Sequence, residues 1–337
     1  MKRTRIKLGF TYDLKSDYLA AGYSEEQAAE FDSEETIEGI ANALQHLGYD
    51  VDRIGGVQQL LKKLGAGERW DMVFNICEGL SGPCREAQVP VILDIYRIPY
   101  IFSDGLVMAM TLDKGITKHV IRDHGIATAA FTVIRNMEDI EEIDLPFPMF
   151  VKPVGEGTGK GIGPKSKVDN HDMLLHVCKH QLETFQQPVL VEEYLPGREI
   201  TVAIVGSGRQ ASIVGMMEVH FGPNETTGIY SYENKAHYQD FVSYSVPEAS
   251  MYKACETLAL KSWQVLDCKD AGRVDIRCDK HGTPNFMEVN PLAGLNPIHS
   301  DLPIIAKMQG IEFQELIAMI MKTATDRLGL TQPPFYR

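Results

Sequence analysis

The densest glycine run of the chain follows a short apolar strand and does not lead into a helix. Five glycines lie within residues 155–163, which we call the glycine loop. A dinucleotide-binding fingerprint requires a helix after the glycines, whereas residues 164–168 are predicted to be extended or turned. A Walker A loop is also excluded, because Lys160 is followed by Gly161 in place of Ser or Thr. The run indicates a strand–loop–strand flap whose N–H groups close over phosphates, with an ordinary glycine-rich hairpin as the alternative.

A lysine in the preceding strand favours the phosphate interpretation. Lys152 lies among the apolar residues 149–154, at the entry to the glycine loop. Burying a charge without a partner is costly, and a phosphate would be a sufficient partner. Lys114 is a second candidate for a phosphate contact, although in isolation it would be an ordinary surface lysine.

Two carboxylates and an amide near the C-terminus have the chemistry of a magnesium site. Alternation places Glu288 and Asn290 on one face of a strand, and Asp275 lies on another predicted strand that could pair with it. Oxygen ligands of this kind suit hard cations, and bound magnesium usually keeps substrate phosphates among its ligands. A solvated polar face is the alternative, weakened by the apolar neighbours of Glu288.

Strands and helices alternate along the first part of the chain, which predicts a parallel sheet with helices on its faces. We expect a helix that begins at Asp32, with Glu35 completing a capping box, and a loop with a short helix over residues 13–31. Strands are predicted at 6–12, 49–54, 71–76, 131–134, 149–154, 189–194, 200–205, 210–219, 273–278 and 285–289. Further helices are predicted at 112–125, 172–184, 249–266 and 313–328. The fold class is therefore mixed α/β.

The composition excludes several classes of partner. The chain has 46 acidic and 33 basic residues and a formal net charge of −13, with no basic patch, so neither a nucleic acid nor an anionic membrane is expected as a partner. The six cysteines show no Cys-x-x-Cys spacing, which disfavours a zinc site and fits a reducing, cytoplasmic location. We expect neither a signal peptide nor a membrane-spanning segment.

The order of these motifs resembles the ATP-grasp superfamily, and within it the D-alanine–D-alanine ligases. The resemblance covers residues 98–301 well and the preceding residues more loosely. The motifs that carry it are Asp113-Lys114 with Lys118, Val151-Lys152-Pro153 with its glycine loop, Val191-Glu192-Glu193-Tyr194 with Gly197-Arg198-Glu199, Arg273-x-Asp275, and Glu288-x-Asn290.

The resemblance implies an ATP-grasp fold of three domains. An N-terminal parallel-sheet domain of the pre-ATP-grasp type would span residues 1–112, and central and C-terminal ATP-grasp domains would span 113–195 and 196–337. ATP would lie between the last two, with two magnesium ions that manganese could replace. The family also implies a homodimer.

The resemblance also implies roles for individual residues. ATP phosphates would be contacted by Lys114 and Lys152 and covered by Gly157, Thr158, Gly159, Lys160 and Gly161. Adenine would be held by Glu192, Glu193, Tyr194 and Leu195 and ribose by Glu199, whereas residues 192–195 taken alone fit a solvated strand end equally well. The magnesium ligands would be Asp275, Glu288 and Asn290. Arg273 and Gly294 would stabilise charge at the acyl centre, Lys235 would cover the γ-phosphate from a mobile loop, and Ser300 and Leu302 would contact the second amino acid.

The first-substrate half departs from the family. Residues 11–15 replace a glycine-serine stretch that carries a substrate-binding glutamate, and residues 78–86 replace the family's His-Gly and Gly-Glu-Asp-Gly motifs. Glu78, Arg85 and Glu86 are the substrate-side candidates, with an ordinary polar loop as the alternative. The departure predicts a different carboxylate substrate, or one that is held differently.

The function expected from the resemblance is that of an ADP-forming carboxylate–amine ligase acting through an acyl phosphate on amino acids or similar small molecules. Metals, lysines and Arg273 would neutralise charge, and the flap would exclude water from the reactive intermediate. Two alternatives stay open: loading of an amino acid onto a carrier-protein thiol, and a catalytically inactive nucleotide-binding regulatory protein.

Overall fold

The computed structural model describes residues 6–221 and 242–330 and contains three β-sheets. The first is wholly parallel, in the order β2-β1-β3-β4. Its strands are β1 Lys7–Tyr12, β2 Asp50–Gly55, β3 Met72–Ile76 and β4 Tyr100–Ile101. The predicted parallel N-terminal sheet is therefore confirmed. Among the residues described, none of the helices has the length and hydrophobicity that a bilayer crossing requires.

Five helices accompany the parallel sheet within the described residues: α1 Lys15–Ala20, α2 Glu34–His46, α3 Val57–Gly65, α4 Gln88–Ile95 and α5 Gly105–Leu112. The predicted start of α2 at Asp32 is wrong. Ser33 caps the helix, and its side chain accepts from the Thr36 N–H at 3.3 Å. The Asp32 backbone instead forms a bridge with the chain around Leu14, so Asp32 lies before the cap and no capping box with Glu35 forms.

The central sheet is antiparallel, in the order β5-β8-β6-β7. Its elements are β5 Phe131–Ile134, β6 Met149–Pro153, β7 Lys167–Val168 and β8 Val189–Glu193, with helices α6 Lys114–Asp123 and α7 His171–Phe185. Side chains alternate on β6 and β8, so Met149, Val151 and Val191 pack towards α7. The opposite face of these two strands therefore carries Phe150, Lys152 and Glu192.

The C-terminal sheet is antiparallel, in the order β11-β10-β9-β12-β13. Its strands are β9 Glu199–Val205, β10 Ser212–Phe221, β11 Val242–Ser245, β12 Ala271–Cys278 and β13 Pro284–Asn290. Helix α8 Ala249–Val265 covers one face with the fully buried Trp263, and helices α9 Asp301–Met308 and α10 Phe313–Leu328 follow.

One hydrophobic core joins the parallel sheet to the C-terminal sheet. Leu8 and Phe10 of β1 belong to the same buried cluster as Ile317 and Ile320 of α10 and Val205 of β9. The carboxyl ends of β1 and β3 therefore have a set position relative to the C-terminal sheet. This position brings the loop after β3 to the edge of the cavity described below.

Candidate active site

A cavity with about 770 Å³ of empty space lies between the central and C-terminal sheets. The central sheet contributes the cavity-facing side chains of β6 and β8, and the C-terminal sheet contributes those of β9, β12 and β13. The lining includes Phe150, Lys152, Gly159, Ile162, Glu192, Glu193, Tyr194, Leu195, Glu199, Arg273, Asp275, Met287 and Glu288.

Two buried charges that line this cavity, Lys152 and Glu192, are joined to a third buried charge behind them, Lys118. The Glu192 carboxylate lies 2.7 Å from Lys118 Nζ and 2.8 Å from Lys152 Nζ, and Lys118 and Lys152 are 1% and 2% exposed. Burial alone would raise the pKa of Glu192, but the two lysines outweigh it and hold that pKa at about 2. Glu192 is therefore ionised at neutral pH. A phosphate was inferred as the partner of Lys152. The structure shows that the Glu192 carboxylate already compensates the charge of Lys152 without a nucleotide.

Glu192 belongs to the segment predicted to hold adenine, and its carboxylate forms ion pairs with Lys118 and Lys152. Its carboxylate orients the two lysines, and no role had been assigned to Lys118 beyond its place in the motif. Phe150 pairs with Glu192 in the β6–β8 register, which places the carboxylate on the same face as Lys152. Alternation along each strand predicts which face each residue takes, but the pairing of the two strands requires the tertiary structure.

The end of the cavity beyond Glu192 is flatter and more apolar. Tyr194 stacks on Phe150 with ring centroids 6.3 Å apart and an interplanar angle of 27°. Leu195 is 8% exposed, and Ile162 and Met287 also line this end. The Glu199 carboxylate, predicted to bind ribose, accepts from Arg277 Nη1 at 2.9 Å on the neighbouring strand. The aromatic and apolar side chains next to the Glu199–Arg277 pair have the chemistry that a planar base next to a polar sugar requires.

The three predicted magnesium ligands come together on adjacent strands. Asp275 pairs with Glu288, and Arg273 pairs with Asn290, in the β12–β13 register. Asn290 Nδ2 lies 3.4 Å from Asp275 Oδ2, and Arg273 donates to the same Asp275 oxygen. A bulge beside Asp275 turns Met287 towards the cavity, although its apolar character had suggested a core position. The structure therefore places three oxygen-bearing side chains at one edge of the cavity.

A second cavity, with about 700 Å³ of empty space, adjoins the first and shares Arg273 and Glu288 with it. Lys114 donates to the Glu156 carbonyl at 2.6 Å and lies 3.5 Å from the Glu288 carboxylate. The lining of the second cavity includes Glu30, Glu78, Glu86, Lys114, Glu156, Gly157, Thr158, Asn290 and Gly294. The predicted substrate residues Glu78 and Glu86 and two of the predicted metal ligands, Glu288 and Asn290, therefore line one space.

The wall formed by Glu78 and Glu86 is strongly acidic. Burial, and then repulsion from Glu86 and Glu30, raise the pKa of Glu78 well above its ordinary value. Burial also raises the pKa of Glu86 to about 7, against the opposing effect of Arg85. A cationic group placed in this space would lower both pKa values by supplying a countercharge.

The remaining predicted residues have different positions. Gly294 lines the second cavity, and a Cβ added there would lie 2.7 Å from Ser300 Oγ, so these two residues are close neighbours. The Ser300 hydroxyl accepts from the Asn296 N–H at 3.0 Å. The Leu302 side chain is 1% exposed and belongs to the core, so the structure does not bring it to the cavity. Lys235 lies outside the described residues.

The glycine loop is anchored by a residue that sequence reasoning missed. Glu30 accepts from the Gly157 N–H at 2.7 Å and forms an ion pair with Arg85 at 3.0 Å. Lys160 forms an ion pair with Glu156 at 2.6 Å. Arg85, predicted to face a substrate, has its guanidinium directed at Glu30 and at the loop. Glu30 lies in the polar segment before α2, where its neighbours give no signal that would distinguish it from a surface carboxylate.

Residues 120–322 match the family model described as the D-ala D-ala ligase C-terminus. The chain belongs to the D-alanine–D-alanine ligase family. It is 31% identical to the D-alanine–D-alanine ligase of Aquifex aeolicus, over 85% of this chain and 93% of that protein. It is 29% identical to the corresponding Bordetella avium ligase, over 86% and 89%.

The solved structures confirm the ATP-grasp fold expected from the motifs. The D-alanine–D-alanine ligase from Bacillus anthracis, solved in complex with ATP, aligns with a TM-score of 0.72 at 21% identity, over 96% of this chain and 98% of that one. Membership of this ligase family confirms the predicted resemblance and identifies the chain as an ATP-dependent C–N ligase. The expectation of an inactive nucleotide-binding protein is accordingly not supported.

Proposed function

We propose that this D-alanine–D-alanine ligase family member joins the carboxylate of one small amino acid to the amine of another, with ATP converted to ADP and phosphate. The observation that carries the proposal is the meeting of two cavities at Arg273 and Glu288. One cavity has the features of a nucleotide site, and the other has polar walls suited to a small polar substrate. A carboxylate in the second cavity would thus face the terminal phosphate of a nucleotide in the first.

The residues at this junction neutralise charge and exclude water. Lys152 lines the first cavity and Lys114 lines the second, so both lie near the junction where the phosphates of ATP would bind. The glycine loop would cover these phosphates. Attack of the substrate carboxylate on the γ-phosphate would give an acyl phosphate, from which the amine displaces phosphate. Arg273, whose pKa is raised because Asp275, Asp301 and Glu288 outweigh its burial, stays charged and suits the negative charge at the acyl centre.

The oxygen-bearing set on β12 and β13 fits magnesium. Asp275, Glu288 and Asn290 supply carboxylate and amide oxygens, the ligand types that hard cations take, next to the phosphate end of the cavity. When bound, the ions would neutralise phosphate charge and align the reacting oxygens. In their absence the same carboxylates are compensated by Arg273 and Lys114.

The acidic wall supports an amino acid as a substrate. Glu78 and Glu86 face the cavity, whereas Glu30 is already paired with Arg85. An ammonium group would offset the repulsion between Glu78 and Glu86. The relatives named above are ligases of D-alanine, and the altered N-terminal residues lead us to propose a related amino acid or one held in a different orientation.

A homodimer is part of the proposal. Three exposed apolar side chains, Val91 and Ile95 of α4 and Leu106 of α5, are 47%, 73% and 78% exposed on neighbouring helices. An apolar surface of this kind, on residues that line neither of the two cavities, is suited to a second copy of the chain. Light scattering coupled to size exclusion will give the mass of one chain if this part is wrong.

Phosphate release with ATP and magnesium will test the reaction across L- and D-amino acids, singly and in pairs, with mass spectrometry of the products. Release that requires two amino acids and gives a dipeptide supports the proposal and names the substrates. ATP binding without release for any pair would refute it and direct attention to another acceptor, such as a carrier protein.

The metal assignment is tested by Glu288→Gln, which keeps the shape of the side chain and removes one carboxylate. We expect turnover to fall by more than about 100-fold with the fold intact. Glu141→Gln, at an exposed position of the central domain, is the matched control and should retain full activity. Activity of the Glu288→Gln variant close to that of the control would exclude Glu288 as a metal ligand.

A further inference from the structure

The glycine loop is held from the N-terminal part of the chain by a circuit of hydrogen bonds. Arg85 donates from Nη1 to the Gly155 carbonyl at 2.6 Å and from Nη2 to the two Glu30 oxygens at 3.1 and 3.0 Å. Glu30 Oε1 accepts from the Gly157 N–H at 2.7 Å. The circuit joins three segments that are far apart in sequence, namely the turn before α2, the loop after β3 and the glycine loop.

Two further contacts anchor the same stretch from the central domain. Gln187 Oε1 accepts from the Gly155 N–H at 2.7 Å, and Lys114 Nζ donates to the Glu156 carbonyl at 2.6 Å. The start of the glycine loop is therefore hydrogen-bonded both to Arg85 and Glu30 and to Gln187 and Lys114. Among the residues that the structure describes, Arg85 and Glu30 connect the loop to the part of the chain that carries the acidic wall, and Lys160 adds an ion pair to Glu30 at 3.9 Å.

The geometry of the Arg85–Glu30 pair makes it a rigid connection. Each side chain is 8% exposed, and the guanidinium reaches a carboxylate and a carbonyl at the same time. Such charge-assisted bonds are stronger and more directional than neutral ones. A compact lysine ammonium on a flexible stem cannot reproduce this planar fork.

Glu30 approaches the loop so closely that a side chain at position 157 would require the Glu30 carboxylate to move. A Cβ added to Gly157 would clash with Glu30 Oε1. Because the φ of Gly157 is not positive, the close approach of Glu30 accounts for this glycine. The backbone of Gly157 and the side chain of Glu30 are therefore in direct contact, and the missing side chain at position 157 leaves room for the Glu30 carboxylate.

We propose that Arg85 is a positioning residue for the ATP-dependent step, acting through Glu30 and Gly155 to keep the glycine loop closed over the phosphates. This inference rests on the proposed ligase function. A displaced loop admits water, which can attack the acyl phosphate in place of the amine and release the original carboxylate and inorganic phosphate. Loss of Arg85 therefore separates ATP consumption from bond formation.

The first test measures the loop itself by amide hydrogen exchange in the full-length protein, alone and with magnesium and a non-hydrolysable ATP analogue. In Arg85→Ala we expect exchange in peptides covering residues 155–163 to become faster on the order of tenfold. Arg209→Ala, at an exposed arginine in the turn between β9 and β10, is the matched control and should leave these peptides unchanged. Unchanged exchange in the Arg85 variant would overturn the proposal.

A second variant covers the case in which Arg85→Ala does not fold. Peptides from β1 and β3 report on folding, and faster exchange there disqualifies the alanine variant. Arg85→Lys keeps the charge beside Glu30 but cannot also hold Gly155, so faster exchange confined to residues 155–163 is expected again. If the lysine variant exchanges like the wild type, Arg85 does not position the loop.

Kinetics separate positioning from a merely structural role. A displaced loop should raise the KM for ATP several-fold and raise the ADP formed per bond above one. A lower kcat with unchanged KM and unchanged stoichiometry would show a smaller folded fraction and contradict the proposal. If the wild-type protein joins no substrates, the ligase assignment fails, whereas the exchange measurement still decides the role of Arg85.

Discussion

At the scale of single residues, the site is made of charges that satisfy one another before any substrate arrives. Lys118 and Lys152 are almost fully buried, which would be costly without the Glu192 carboxylate between them. The arrangement keeps two positive charges at the phosphate end of the cavity. A neutral residue at position 192 would leave two like charges facing each other in a poorly solvated space.

Glu192→Gln is therefore expected to lower the free energy of unfolding by about 3–5 kcal/mol at neutral pH, as for other buried ion pairs that lose one partner. Urea denaturation measures this change. Glu193→Gln, the adjacent half-buried residue, is the control and should change stability by less than about 1 kcal/mol. Equal effects of the two substitutions would mean that the lysines do not depend on Glu192.

The ion pairs of Glu192 with Lys118 and Lys152 also predict that the stability of the protein depends on pH. Folding lowers the pKa of Glu192 from its ordinary 4.5 to about 2, so its stabilising contribution is complete above pH 4.5. The contribution is lost as the pH falls from 4.5 through 2, because the carboxylate becomes protonated. The stability difference between wild type and Glu192→Gln should therefore narrow over that window, and a difference that stays constant would contradict the pKa shift.

At the scale of elements, each strand of the cavity has one apolar face and one functional face. On β12, Val274 and Ile276 enter the core while Arg273 and Asp275 face the cavity. The same alternation on β6 and β8 separates the residues that pack against α7 from Phe150, Lys152 and Glu192, which face the cavity. The bulge on β13 is the one local irregularity that alternation does not predict, and it adds Met287 to the cavity.

The glycine loop allows a prediction with an internal control. In Gly157→Ala the new methyl group would clash with Glu30, so we expect the loop to shift and the KM for ATP to rise roughly tenfold. Gly163→Ala, in the same loop, has extended backbone and no neighbour within 4 Å of the added Cβ. It should therefore retain the wild-type KM, and an equal rise in both variants would point to general loss of loop flexibility.

At the scale of the whole molecule, a buried ion pair connects the parallel sheet, the C-terminal sheet and the last helix. Asp270, which is fully buried, accepts from the Phe102 N–H at 2.8 Å and from Arg327 Nη2 at 2.6 Å. Arg327 also donates to the Tyr100 carbonyl at 3.0 Å. Helix α10 therefore holds the end of the parallel sheet against the C-terminal sheet, which sets the separation between the acidic wall and the metal-binding strands.

Arg327→Gln should loosen this connection because Asp270 would keep its burial and lose its countercharge. We expect a loss of about 3 kcal/mol in the free energy of unfolding and a lower midpoint in thermal denaturation. Lys322→Gln, on the exposed side of the same helix, is the control and should be close to neutral. Equal stability of the two variants would show that the Asp270 pair does not join these sheets.

Much of the fold followed from local pattern. The helix over Phe313–Leu328 and the strand over Phe131–Ile134 were predicted with their observed bounds, because spacing of apolar residues reports directly on helix and strand. Helices α3, α4 and α5 were not predicted. The cap of α2 was misplaced by one residue, because Asp32 and Ser33 are both good capping residues and only the bridge at Asp32 distinguishes them.

In the part of the chain that the structure describes, the sequence by itself determined ten of the thirteen strands, all but β4, β7 and β11. It also determined the lysine at the entry to the glycine loop and the oxygen-bearing residues on β12 and β13, since each is set by residue chemistry at short spacing. Only the tertiary structure decided that Glu192 lies between Lys118 and Lys152, that Arg85 pairs with Glu30, and that Leu302 lies in the core. The physical reason is that these outcomes depend on which strands and loops come within hydrogen-bonding distance. Such distances follow from the packing of whole sheets and are not encoded in the neighbours of any one residue.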